Sequence, residues 1–321
     1  MWFEEWMGFV EESPEQVRAK IEVEGEYLVS RVNGRRLRAG RLRTPSLAEL
    51  RSEQASLAGG GRSALCEVVG DVGALHRDVT NAGSLFQAAS QFNLLEMTSP
   101  RITPEQGVGI YEFDRTQGPA CAIACGAGTI FRNYFTPLGD QIGQTSARQI
   151  DCLEELGAAL GQPGVYEMQN GYAMASTAGL ERVNEKLSRC DAAERDRLRG
   201  LLRVGVQHEA EVLGTGHVVT QVYSSALPVA YGSPPAPLWE PFARLVLEAT
   251  YEATLLVAAL EGIEVVFLTR VGGGVFGNHP AWIDDAIVHA LERVEGLDVR
   301  LVSYGSSDAA KARLVERWKS R

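Results

Sequence analysis

The chain has 321 residues, 45% of them hydrophobic, enough for a large buried core in one big domain or one domain with an extension. Charged residues make up 22% and the formal net charge is −10, which argues against a general nucleic-acid binder, since phosphate backbones demand a basic footprint. A small anionic ligand stays allowed, because backbone amides bind one without net positive charge.

Glu4, Glu5, Glu11 and Glu12 break up the apolar residues of the first segment and exclude an ordinary signal peptide. No apolar run is long enough to span a membrane, so the expectation is a soluble cytoplasmic protein. Residues 1–60 read as an N-terminal extension. Alternation over 22–30, punctuated by Val32-Asn33-Gly34, predicts a hairpin, and Ser46 caps a short helix over 46–54. Gly59-Gly60-Gly61 reads as a flexible joint, and the domain proper spans 61–321.

Ala64 to Val69 predicts a buried strand. Ser84 to Met97, with Phe86, Ala89, Phe92, Leu94 and Leu95, predicts a helix that Asn81 is placed to cap. An irregular stretch over 98–119 follows, then a hairpin or two short strands over 121–135 around Gly126-Ala127-Gly128. Residues 146–160 and 177–203 are helical by composition, and 217–227 is a strand. The tail is clearest: a helix over 239–261, a strand over 264–269 with a continuous apolar centre, a helix over 281–294 and a strand over 299–304. That order is a βαβ unit closing an α/β sheet. The five cysteines contain no C-x-x-C pair and read as buried reduced thiols, with no metal or cofactor implied.

Between the last two strands lies Gly272-Gly273-Gly274-Val275-Phe276-Gly277-Asn278. A strand feeding a Gly-rich turn into a helix start presents unpaired N–H groups, and Pro280 sharpens that start, with Asn278 as a possible cap. Gly272, Gly274 and Gly277 satisfy G-x-G-x-x-G, but about 45 residues beyond them leave no room for a doubly wound sheet. The next strand also ends in Ser303-Tyr304-Gly305, without a ribose-binding acid. A plain glycine-rich connection stays open as the bland alternative.

Gly274-Val275-Phe276-Gly277-Asn278-His279-Pro280 resembles the diphosphate loop of the macrodomain family, G-x-F-G-x-P, with one residue inserted before the proline. The strand 218–223 with Ala226-Leu227-Pro228 and the helix bearing Tyr251 fit the same order. Ordinary macrodomains carry N-A-A-N; here Asp78-Val79-Thr80-Asn81-Ala82-Gly83 stands instead. The runs 91–96, 103–105 and 116–120 are similar to a poly-ADP-ribose-glycohydrolase-like branch, which includes enzymes removing ADP-ribose from arginine. The resemblance implies a three-layer α/β/α mixed sheet and a partner that is ADP-ribose or an ADP-ribosylated protein, with neither nucleic acid nor membrane.

Cleaving an ADP-ribosyl bond needs a carboxyl group near the anomeric carbon, and a second carboxylate suits a guanidinium leaving group. Glu96, Glu105, Glu112 and Asp114 are the candidates; each is readable as a solvated charge, but Glu96 closes an apolar run and Asp114 opens a polar turn that enters an expected buried strand. Gln87, Gln91 and Asn93 are candidates for ribose hydroxyls or simply surface amides, and Tyr304 for a stacking wall. The expected function is an ADP-ribosyl hydrolase acting on arginine. A non-catalytic ADP-ribose reader, or an α/β interaction protein with no ligand, is the alternative.

Overall fold

The computed structural model describes residues 1–54 and 61–321. Two short helices, α1 (Trp2–Met7) and α2 (Pro14–Lys20), lead into an antiparallel sheet of β1 (Ile21–Glu24), β2 (Tyr27–Ser30) and β3 (Arg36–Arg38). The expected hairpin is therefore its first two strands. Next come β4 (Arg41–Arg43) and α3 (Leu47–Gln54), where Ser46 caps as expected: its Oγ accepts from Glu49 N, and Glu49 Oε2 accepts from Ser46 N. Of the expected joint, Gly59 and Gly60 lie outside the described residues.

The first 54 residues are woven into the domain. Strand β4 forms one edge of the main sheet, and α3 packs on a later helix. Trp2, Phe3, Met7 and Phe9 build a second core with Tyr111, Ile130 and Tyr134.

The main sheet is seven-stranded and mixed. It adds β5 (Ala64–Val69), β6 (Leu85–Ala89), β11 (Gly205–Glu211), β12 (Val218–Ser224), β13 (Val265–Leu268) and β14 (Asp298–Ser303) to β4, in the order β4-β11-β12-β6-β13-β14-β5. The five strands from β12 to β5 are parallel neighbours, and β11 runs against both of its partners. Between β5 and β6 lies α4 (Val72–Arg77). From β6 the chain runs through α5 (Gln117–Ala124), α6 (Gly126–Tyr134), the ribbon β7 (Pro137–Leu138) and β8 (Gln141–Ile142), α7 (Glu154–Leu160), the hairpin β9 (Tyr166–Gln169) and β10 (Tyr172–Ala175), α8 (Thr177–Arg189) and α9 (Ala192–Gly200). The closing half carries α10 (Ala236–Glu261), α11 (Pro280–Leu291) and α12 (Ala309–Lys319).

Strand alternation sorts the helices into two outer layers. On β6, Phe86 stacks on His76 of α4, while its neighbour Gln87 donates to Thr254 of α10. The result is the expected three-layer α/β/α arrangement.

Five expectations are corrected. Residues 84–97 are not a helix: 85–89 form a central strand, buried on both faces, and an apolar run that short lacks any helical period to betray it. Residues 121–135 are helical, not stranded. Helix α7 starts only at Glu154, and 177–203 breaks at Asp191, which caps α9 by accepting from Glu194 N. Strand β5 is a half-buried edge rather than a buried strand.

Candidate functional site

A cavity of about 360 Å3 opens at the carboxyl ends of β6, β13 and β14, where open parallel sheets generally bind ligands. One wall is the Gly-rich loop. Tyr251 of α10 anchors its root, donating its hydroxyl to Thr269 O (2.8 Å) and accepting from Val271 N (3.0 Å). Gly272 takes φ +76°, a conformation few side chains tolerate, and its carbonyl accepts from the backbone and side-chain nitrogens of Asn278. Among the described residues, nothing accepts a hydrogen bond from the N–H groups of Gly274, Val275 or Phe276. These are consecutive donors at the cavity wall.

Asn278 is not the helix cap expected of it: its amide donates to Leu227 O at 2.8 Å, and His279 caps α11 by accepting from Ala281 N. Asn278 and Gly277 thus shape the loop without lining the cavity, while Gly272, Gly273, Gly274, Val275 and Phe276 line it. Phe276 packs 5.3 Å from the Tyr172 ring and 5.7 Å from the Tyr231 ring.

The opposite wall carries Glu96. It sits in the loop after β6, not at a helix end, and every turn of that loop is pinned. Gln91 closes it by accepting from Met97 N and donating to Met97 O; Tyr111 accepts from Glu96 N at 2.9 Å. The buried Arg132 donates to Leu94 O. The Glu96 carboxyl is 5% exposed and its Oε1 has no partner. Burial pushes its pKa well above the usual carboxylate range; Arg132 opposes this and Asp114 adds to it. Asp114 also lines the cavity, its Oδ1 accepting from Thr116 N.

Of the expected site residues, the structure therefore gathers Glu96, Asp114, Gln91, the five loop residues and Tyr304 around one space. The others lie elsewhere. Glu105 accepts from the amide and hydroxyl of Ser146, and Glu112 accepts from Trp2 N. Asn81 donates to Leu75 O in a short turn, with no helix to cap. Gln87 points at α10, and Asn93 braces its own loop, accepting from Leu95 N and donating to Gln149. Sequence reasoning missed Thr98, Gln117, Gly118, Tyr172, Tyr231 and Lys311, which line the cavity from segments far apart in the chain. Only the hydroxyl rings and the Gln-Gly-Pro helix start carried any local signal.

A mixed α/β sheet thus brings a glycine-rich loop and a buried acid together around one concave cavity at its carboxyl edge, the usual form of a small-molecule site. No protein-family model matches the chain, and a search of curated proteins finds no match. Among solved structures the chain is similar to poly(ADP-ribose) glycohydrolase from Deinococcus radiodurans in complex with ADP-ribose, at 15% identity and TM-score 0.48, covering 87% of this chain and 94% of that one. The Thermomonospora curvata glycohydrolase is similar at 13% identity and TM-score 0.47, covering 94% and 95%. The same enzyme bound to the inhibitor ADP-HPD gives 15% and 0.44.

Proposed function

We propose that the cavity binds ADP-ribose and that the chain hydrolyses the bond joining ADP-ribose to a modified protein, arginine being the favoured acceptor. The supporting observation is that residues with three free loop N–H groups and a residue whose buried carboxyl has an unpartnered oxygen line one cavity. The loop suits a diphosphate and Tyr304 an adenine face. Glu96, whose burial makes it hold its proton more tightly than an ordinary carboxyl, suits the distal ribose.

In this reading Glu96 delivers its proton to the leaving nitrogen as the bond to the anomeric carbon breaks. Water then adds to that carbon and returns a proton to Glu96. Asp114 grips the departing guanidinium, which is what favours arginine. Since Glu96 works as the acid, activity falls as pH rises through its elevated folded pKa.

The test is release of ADP-ribose from arginine-ADP-ribosylated protein and from poly(ADP-ribose), by wild type and Glu96→Gln. Wild type is expected to turn over the arginine substrate, and Glu96→Gln to lose about 100-fold or more. ADP-ribose binding without release from either substrate would leave a reader. No binding in a calorimeter would sink the proposal altogether.

A further inference from the structure

Among the described residues, two cationic side chains line the cavity, Arg270 and Lys311. Arg270, at the root of the Gly-rich loop, is already committed: its Nη2 donates to Asp284 Oδ1 at 2.5 Å and to Pro280 O at 2.9 Å. Lys311 of α12 is placed differently. The residue is only 9% exposed, its ammonium donates to Ser303 Oγ at 2.9 Å, and the nearest carboxylate oxygen, on Asp308, is 3.9 Å away. An ammonium has three donors, so two find no acceptor within hydrogen-bond reach among the described residues. Its head is also held in place. Ser303 Oγ donates to Glu67, which further accepts from Ser307 Oγ and Asp308 N, pinning the segment that leads into α12. Lys311 and the loop root at Arg270 line the same cavity. Burial, helped by the like charge of Arg270, pushes the Lys311 pKa down against the pull of Asp308, Glu67 and Asp284.

We propose that Lys311 is the phosphate-binding cation of this cavity, completing with its ammonium the anion cradle that the loop amides begin. The assignment rests on the ADP-ribose reading for the ligand's identity, though not for the phosphate itself. It gives an acidic protein, of net charge −10, one placed positive charge where its ligand carries two negative ones.

The experiment is calorimetric titration of wild type, Lys311→Met and Lys311→Arg with ADP-ribose and with inorganic pyrophosphate, at low and high salt. Circular dichroism checks the fold, and Lys311→Gln replaces the Met variant if that one unfolds. Lys311→Met is expected to bind ADP-ribose about tenfold more weakly and with a flatter salt dependence, while Lys311→Arg retains most of the affinity. A Met variant that binds both probes like wild type, with the same salt dependence, overturns the role of Lys311. Lys311-dependent pyrophosphate binding without ADP-ribose binding overturns the ADP-ribose reading and keeps Lys311 as the phosphate cation. Wild type that binds neither probe overturns both.

Discussion

Gly118 has no room for a side chain. A Cβ built there would fall on Glu96 Oε2 and lie 2.5 Å from Ala89 O, a backbone atom of β6 that cannot retreat. The first turn of α5 and the loop after β6 therefore meet at a spacing that only glycine permits, and that contact shelters the Glu96 carboxyl. Gly118→Ala is expected to displace Glu96 and remove ADP-ribose release as fully as Glu96→Gln does. The cost to stability, from overpacking, is about 1–3 kcal/mol by urea unfolding. Turnover at the wild-type rate would show that Glu96 does not act from this position. Glu96 itself was legible as an acid closing an apolar run. Gly118 was not, because nothing in Gln117-Gly118-Pro119 records which carboxyl lies across from it.

At the scale of elements, legibility follows how local the cause is. From Trp239 to Tyr304 the strand, loop and helix signals lie side by side in the chain, and all four expected elements stand within a few residues of their places. Between 84 and 135 the causes are distant. Gly126 and Gly128 look like turn residues, yet they sit in α6, where a Cβ on Gly126 would come 2.5 Å from the Trp2 ring and one on Gly128 3.0 Å from Gln207. They are glycines for close packing, and their partners are scores of residues away. The Gly-rich loop was found correctly but its brace was not, since Tyr251 acts from the middle of α10. Tyr251→Phe leaves Thr269 O and Val271 N without their buried partner, at about 1–3 kcal/mol. The expected result is a lower melting temperature together with weaker ADP-ribose binding in calorimetry. A drop in melting temperature with unchanged affinity would mean that the loop holds its shape without Tyr251.

For the whole molecule, the N-terminal segment and the sheet pack as one body. Arg51 of α3 makes a two-pronged contact with Glu252 of α10. Burial works against the Glu252 charge, but His289 and Arg51 outweigh it and bring its pKa down to about 2. Glu11 likewise accepts from Val108 N, Gly109 N and the Tyr134 hydroxyl, tying the first segment to the stretch that carries Tyr111 and Asp114. In such a body a single buried histidine registers in global stability. His76 is fully buried, stacked 3.8 Å from Phe86, with Nδ1 against Val72 O and Nε2 facing the Gln221 amide, whose nitrogen can only donate. The ring is thus neutral with its proton on Nδ1, and burial above all lowers its pKa from 6.5 to about 4. Between those values the unfolded chain takes up a proton that the native ring refuses, so stability is full above pH 6.5 and falls as pH drops toward 4. The loss attributable to His76 is about 2 kcal/mol by pH 5. Urea unfolding of wild type and His76→Asn at pH 7.5 and pH 5 isolates it, because the carboxyl groups titrate alike in both proteins. The stability gap between the two is expected to narrow by that amount on acidification. A gap that stays constant with pH would mean that His76 carries its proton equally well folded and unfolded.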